Sequence, residues 1–316
     1  MNLLITGGCG FIASNFINYF FYKNSSCNII NLDAMYYCAN ENNVLEEIRN
    51  SPRYTFVKGN LQSKDLVNFV LKKYAITDII HFAAQSHVQN SFDDPLQYTL
   101  DNVVGTHTLL DCCKNKKLNK IIHVSTDEVY GESGDDMKHE ECILVPTNPY
   151  AATKAAAEMI AMSYIKSYNL PIIITRGNNV YGPNQYPEKL IPKFIEQLNK
   201  NLPVTIQGDG SAKRSFLHVY DTCTAFEIIL SKGSVGEIYN IGTNPHESEY
   251  TVMEIANILI KLIKGENVNV YDHIEFVPDR PFNDSRYFIS NQKLKDLNWE
   301  IKINFIEGIK MLINYK

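Results

Sequence analysis

The sequence predicts an α/β protein built on a doubly wound parallel sheet, and three observations carry that prediction. Short β-branched runs alternate with helical patterns through the first half of the chain. Several of those runs, such as Ile79-Ile80-His81-Phe82 and Ile172-Ile173-Ile174, are apolar on both faces. Strands buried on both sides belong to a parallel sheet covered by helices above and below. The third observation is a glycine-rich turn, Gly7-Gly8-Cys9-Gly10-Phe11-Ile12-Ala13, which follows the first run and opens a helical stretch.

Strands are expected at 2–6, 28–32, 54–58, 78–82, 120–125 and 171–176, and helices at 11–22, 63–74, 95–116 and 150–168. The glycine turn reads as G-x-G-x-x-A or as G-x-x-G-x-x-A, and both readings meet the same need. Gly7 and Gly10 let the backbone turn sharply and approach a pyrophosphate, while the small Ala13 lets helix and strand pack closely. In a strand–turn–helix setting this is the dinucleotide site of a Rossmann fold. The second strand ends in Asp33, twenty residues after Ala13, where a carboxylate would bind ribose hydroxyls. No Arg or Lys follows it closely, which points to NAD rather than NADP; the bland alternative for Asp33 is a helix cap. Two more strand ends, Gly59-Asn60-Leu61 and Ala83-Ala84-Gln85-Ser86, should line the same crevice. For Ala83-Ala84 the alternative is ordinary tight packing of helix on sheet.

From residue 177 onward the pattern is less regular, with Tyr181-Gly182-Pro183-Asn184 and Gly208-Asp209-Gly210 between short helices. The expected organisation is a Rossmann domain over 1–176 and a smaller, loop-built C-terminal substrate-binding lobe over 177–316. Some late segments should return to the sheet.

A chain of 316 residues with 45% hydrophobic content can bury a substantial core. Its net charge of −5 offers no basic stripe for nucleic acid or anionic membrane. The longest apolar runs are far too short to span a bilayer. The N-terminus lacks a basic region and runs straight into glycines, so it reads as a core strand rather than a signal peptide. Seven scattered cysteines show no metal-ligand spacing, which implies a reducing, cytoplasmic setting and no metal.

The chemistry-bearing residues cluster. Tyr150 and Lys154 are four residues apart on a helix begun by Asn148-Pro149, so both side chains lie on one face. A tyrosine can take a hydroxyl proton only if its pKa falls from about 10 toward neutrality, roughly 4 kcal/mol, and Lys154 with a positive nicotinamide would supply that. Taken singly, a Tyr-x-x-x-Lys match is often a surface coincidence. Here Ser125-Thr126-Asp127-Glu128 also ends a buried strand. Adjacent carboxyls at low dielectric cannot easily both ionise, so one pKa should rise, leaving an acid beside a base. A solvated turn or a helix N-cap is the bland alternative for that pair.

With these residues in place, the chain resembles the nucleotide-sugar 4,6-dehydratases of the extended short-chain dehydrogenase/reductase superfamily. The resemblance runs over nearly the whole length. It includes Ile5-Thr6-Gly7-Gly8-Cys9-Gly10-Phe11-Ile12, His81-Phe82-Ala83-Ala84-Gln85-Ser86-His87-Val88, Val124-Ser125-Thr126-Asp127-Glu128-Val129-Tyr130-Gly131 and Pro149-Tyr150-Ala151-Ala152-Thr153-Lys154. It continues through Asn178-Asn179-Val180-Tyr181-Gly182-Pro183-Asn184-Gln185, Pro187-Glu188-Lys189-Leu190-Ile191-Pro192 and Asp279-Arg280-Pro281-Phe282-Asn283-Asp284-Ser285-Arg286-Tyr287. The Thr-Asp-Glu set is the specific part, since related epimerases and decarboxylases do not carry it whole.

The resemblance implies that Tyr150 oxidises C4 of a sugar with NAD+. It further implies that Glu128 takes the C5 proton, that Asp127 protonates the leaving C6 hydroxyl, and that Thr126 bonds the C4 oxygen. It implies a tightly bound NAD recycled within each turnover, with Phe11, Ile12, Leu61, Ser86, Thr99 and Asn178 joining Gly7, Gly10, Asp33, Asn60, Ala83, Ala84, Tyr150 and Lys154 around it. His87, Thr126, Asn179, Lys189, Arg214 and Arg280 would hold the nucleotide sugar, Arg forks suiting a diphosphate. The bland alternative for the two arginines is surface ion pairing.

Asn60 and Phe282-Asn283-Asp284 depart from many bacterial members. Arg280-Pro281-Phe282-Asn283-Asp284 and Tyr37-Cys38-Ala39-Asn40 look more like eukaryotic-type enzymes, including the dehydratase domain of plant rhamnose synthases. That favours UDP-glucose as substrate, with later steps toward rhamnose lying elsewhere. The competing readings are a dTDP-glucose 4,6-dehydratase, a UDP-sugar 4-epimerase and an idle NAD-binding protein. The helices at 95–116 and 150–168 carry small or apolar faces (Ala155, Ala156, Met159, Met162), which the superfamily buries in a four-helix bundle of a homodimer. The alternative is packing on the protein's own sheet.

Overall fold

The structure is a computed structural model that describes residues 1–244, 247–278 and 284–315. Seven parallel strands form the main sheet: β1 (Asn2–Thr6), β2 (Asn28–Asp33), β3 (Tyr54–Lys58), β4 (Asp78–His81), β5 (Lys120–Thr126), β6 (Ile172–Gly177) and β10 (Ile238–Ile241). Their spatial order is β10-β6-β5-β4-β1-β2-β3. The order reverses between β1 and β4, and a ligand crevice opens at such a reversal, outside the carboxyl ends of the strands.

Alternation along each strand feeds two apolar layers. Leu3, Ile5 and Ile29 pack with Phe16, Phe20, Phe226 and Trp299 on one face. Leu4, Ile30 and Ile79 pack with Leu109, Ala161 and Tyr164 on the other. The first layer is supplied by helices Phe11–Lys23 and Val219–Lys232, so a late helix and the late strand β10 join the first sheet.

Helix Pro149–Tyr168 starts where Asn148 accepts the Ala151 N–H at 2.9 Å and Pro149 fills the first turn. The helix expected over 95–116 is not continuous. It runs as Pro95–Tyr98, a wider π segment Thr99–Val104, and Gly105–Cys113. Such segments insert a residue into the α ladder and recur at functional sites. Here the widened turn holds Asn102, whose side chain bonds both backbone groups of Gln85 at 2.8 and 3.0 Å.

The C-terminal part is more than loops. Helices Leu190–Asn199, Val252–Lys264 and Phe305–Ile313 enclose a second core with Phe194, Leu198, Leu259, Ile260 and Phe305. Two small sheets complete it, joining β7 (Asn179–Tyr181), β9 (Lys213–His218) and β11 (Glu249–Thr251), and separately β8 (Val204–Gln207) and β12 (Ile274–Val277). Among the described residues no helix is long and apolar enough to cross a membrane.

Candidate active site

The crevice at the strand-order reversal is shaped by backbone. Gly7 has φ +73°, and a Cβ there would lie 2.8 Å from the Ala83 Cα. Only glycine fits where β1 and β4 deliver their ends so close together. Gly10 then starts helix Phe11–Lys23 with no side-chain cap, leaving first-turn N–H groups directed at the crevice. That arrangement suits a pyrophosphate. Asp33 accepts the Cys9 N–H at 2.9 Å and the Met35 N–H at 2.7 Å, which fixes its carboxylate at the end of β2. Burial raises its pKa.

These groups line a cavity of about 270 Å³, long enough in its lining to run from Tyr36 and Asn60 to Tyr150 and Lys154. Every cofactor residue expected from the sequence lines it except Thr99 and Asn178. Thr99 is exposed, and its hydroxyl donates to the Pro95 carbonyl at 3.3 Å. The widened helix instead brings Asp101 to the cavity, where it accepts from Tyr36 (3.0 Å), Gln62 (2.9 Å), Gln85 (3.1 Å) and Gln97 (2.9 Å). Sequence reasoning missed Asp101, because nothing in its neighbours signals a π segment. The carboxylate at the end of β2, the bare glycine turn and the uncapped helix end together fit NAD.

The acidic pair sits at the C-terminal end of β5, where the chain turns through a short 3-10 helix, Asp127–Tyr130. Thr126 caps that turn by accepting the Glu128 N–H at 3.3 Å. Asp127 is buried. Its Oδ2 accepts from the Asn178 amide at 2.6 Å, and its Oδ1 from the Thr126 hydroxyl at 3.3 Å. Burial, then the neighbouring Glu128, raise its pKa to about 7. Asn178 thus holds Asp127, and it lines the third cavity beside Phe11, Ile12 and Tyr150. Glu128 accepts from the Asn148 amide at 3.0 Å. Burial raises its pKa as well, while Asn148, Lys189 and Arg214 pull it back.

Tyr150 is buried and hydrogen-bonded to Thr126. Its pKa does not fall: burial and the charge of Glu128 push the phenol above its ordinary value, and the Thr126 hydrogen bond only partly opposes them. The Lys154 amine donates to the Val124 carbonyl at 2.6 Å. Burial lowers the Lys154 pKa to about 8, with Glu158 opposing.

A second cavity of about 230 Å³ adjoins the first and is lined by His87, Glu128, Asn179, Lys189 and Arg214. A third of about 180 Å³ holds Thr126, Asp127 and Tyr150 and shares Ser86, Gln185 and Lys189 with both others. The Lys189 amine bonds the Ser86 carbonyl at 2.9 Å, at the meeting point of the three. The Arg214 guanidinium lies over the Tyr287 ring, 5.1 Å from its centre. Tyr287 in turn donates to Asp284, which also accepts the Thr147 hydroxyl at 2.9 Å. Asp284 and Tyr287 line the substrate cavity without having been assigned a role from sequence. Arg280 lies outside the described residues.

A parallel sheet with this strand order, a glycine turn, a carboxylate at the end of β2 and a Tyr–Lys pair defines an NAD-dependent enzyme of the extended short-chain dehydrogenase/reductase type. The family model described as GDP-mannose 4,6 dehydratase matches residues 4–312. The chain belongs to that family, whose homologues here are NAD-dependent nucleotide-sugar 4,6-dehydratases. It is 48% identical over 318 residues to a trifunctional UDP-glucose 4,6-dehydratase/UDP-4-keto-6-deoxy-D-glucose 3,5-epimerase/UDP-4-keto-L-rhamnose-reductase of Arabidopsis thaliana, covering 99% of this chain and 46% of that protein. The chain thus spans about half the length of the plant relatives it matches. It is 44% identical to the dTDP-D-glucose 4,6-dehydratase of Dictyostelium discoideum, covering 99% of this chain and 81% of that one. Among solved structures, a Streptomyces venezuelae dTDP-glucose 4,6-dehydratase with NAD bound superposes with a TM-score of 0.93 at 35% identity, covering 99% of this chain and 96% of that one. A Bacillus cereus UDP-glucuronic acid 4-epimerase, bound to its substrate and NAD, gives 0.91 at 27% identity, covering 100% and 98%.

Proposed function

We propose that this chain converts UDP-glucose to UDP-4-keto-6-deoxyglucose. The observation that carries the reading is the pair of buried Asp127 and half-buried Glu128 beside Tyr150, each carboxylate held by its own amide, Asn178 and Asn148. A 4-epimerase needs the Tyr–Lys pair alone and has no use for two carboxyls with raised pKa values.

Bound in the first cavity, NAD+ would accept hydride from C4, return it to C6, and lend the positive charge that lowers the Tyr150 phenol. Tyr150 takes the C4 hydroxyl proton while Thr126 bonds the C4 oxygen. Lys154, bonded at the end of β5, ties the tyrosine helix to the strand carrying Thr126. The new ketone acidifies C5, and Glu128 removes that proton. Asp127, with a pKa of about 7, is protonated often enough to donate to the departing C6 hydroxyl and ionised often enough to be reset. Glu128 then returns a proton to C5. Lys189, Asn179, Arg214 and Arg280 hold the diphosphate, and His87 flanks the sugar.

Residues 1–176 with the returning helix and β10 form the cofactor half, and the remaining C-terminal residues the substrate half. The UDP preference rests on the 48% identity to the plant enzymes and on the motif around Tyr37 and Phe282. A homodimer is supported by Leu96, Leu100, Val104 and Met159, exposed large apolar side chains on the two helical segments expected to pair. Seven unpaired cysteines fit a cytoplasmic setting. The test is turnover of UDP-glucose against dTDP-glucose at matched concentration, read by the alkali absorbance of the 4-keto product. Faster turnover of dTDP-glucose would reverse the nucleotide preference. Epimerised sugar without a 4-keto product would replace the whole reading.

A further inference from the structure

Beneath the reacting groups lies a fully buried polar cluster that the mechanism does not use. Its centre is Arg176 on β6, 1% exposed, paired with Glu158, 0% exposed. The fork is bidentate: Nε donates to Glu158 Oε1 at 3.2 Å and Nη2 to Oε2 at 2.7 Å. The remaining nitrogen, Nη1, donates to the Tyr130 hydroxyl at 2.8 Å and to the Glu140 carbonyl at 3.0 Å. Tyr130 passes its own proton to Asn240 of β10 at 2.9 Å, and its ring lies 4.7 Å under the guanidinium.

The placement of these partners is what matters. Glu158 stands on the Tyr150–Lys154 helix, one turn beyond Lys154. Tyr130 closes the 3-10 turn that carries Asp127 and Glu128. At the reacting end the same two segments are joined by Asn148, which caps the helix and bonds Glu128. Between these points the Lys154 amine ties the helix to β5. The Arg176 cluster, nearly three turns beyond Asn148, adds a second link from the helix to the acidic turn itself, and two links along the helix fix its angle to that turn.

Tyr150 must address C4 while Glu128 addresses C5 of the same sugar, and a 1 Å misplacement can cost about 10²-fold in rate. A buried ion pair is in contrast weak evidence for stability, since apolar replacements of similar volume are often neutral or stabilising. We propose that Arg176 is a positioning residue that holds the tyrosine helix and the acidic turn in register, so that oxidation and elimination act on one bound sugar. This rests on the dehydratase reading above.

The test uses the NAD-loaded enzyme with Arg176→Met and Glu158→Leu combined, which removes the pair without leaving a lone buried charge. The expected result is an unchanged or higher melting temperature, unchanged bound NAD and KM, and kcat lower by about 10²-fold. Reduced nicotinamide should accumulate during turnover, because elimination lags behind oxidation. Tyr130→Phe keeps the ion pair and the ring contact but removes the hydrogen bond to the acidic turn, and should show the same accumulation with a several-fold loss of kcat. A folded double variant with wild-type kcat overturns the proposal, as does a kcat loss that merely tracks lost NAD or lost melting temperature. If the double variant does not fold, wild-type kcat in Tyr130→Phe overturns it alone. Failure of the wild-type enzyme to release a 4-keto product would instead sink the dehydratase reading.

Discussion

The two cavities that meet at Lys189 are built in different ways. The NAD crevice is made largely of backbone: a glycine turn, an uncapped helix end and two strand ends too close for a Cβ. The cavity proposed for the substrate is made of side chains delivered from β7, β8, β9, helix starts, Asp284 and Tyr287. A backbone-built site depends on local geometry and is unforgiving of single atoms. A side-chain-built site depends on distant packing, and its parts fail one at a time.

The largest effect should come from breaking the first kind. Gly7→Val asks a β-branched residue to adopt φ +73° against the Ala83 backbone, and the purified protein should carry no NAD when its nucleotide content is measured. On the substrate side, Glu128→Gln should lower kcat by about 10²–10⁴-fold, with reduced nicotinamide accumulating as the C5 base is lost. Wild-type dehydration in that variant would remove Glu128 from the mechanism.

Asp127 sharpens the comparison through pH. Its folded pKa of about 7 lies above its ordinary 3.8, so the folded state binds more protons between those values. The stability it contributes is fully present below about pH 4 and is lost as pH rises through 7. Asp127→Asn should therefore raise the melting temperature relative to wild type at pH 8, with the gain disappearing near pH 4, while kcat collapses at both. A smaller, separable effect is expected at Arg214→Ala: KM rises on the order of tenfold with kcat little changed, as for a lost charge-assisted contact. The smallest is Asp101→Asn, a side chain in the backbone-built crevice, which should weaken NAD binding about fivefold by equilibrium titration.

Legibility in the sequence follows the same division. The six expected strands match those observed to within about a residue at each end, because apolar runs on both faces and flanking turns are local signals. The glycine turn and Asp33 are local as well. Arg176 looked like the end of a strand, and its partner Glu158 like one more helix residue. Asn178 fell among asparagines of a motif, although its amide serves Asp127 from 51 positions away. The second core carried one local signal that the sequence reading did not use: Thr251 and Glu254 form a capping box ahead of an apolar run. Thr99 is exposed at the start of the π segment, and Asp101, two residues on, is the member of that segment that lines the crevice.

The central claim is that hydrogen removed at C4 is delivered to C6 of the same sugar while water leaves. UDP-glucose deuterated at C4 tests it most directly, with the product analysed by NMR. The account predicts a 4-keto-6-deoxy sugar carrying the deuterium in its C6 methyl group. Deuterium retained at C4 of an epimerised sugar would contradict it.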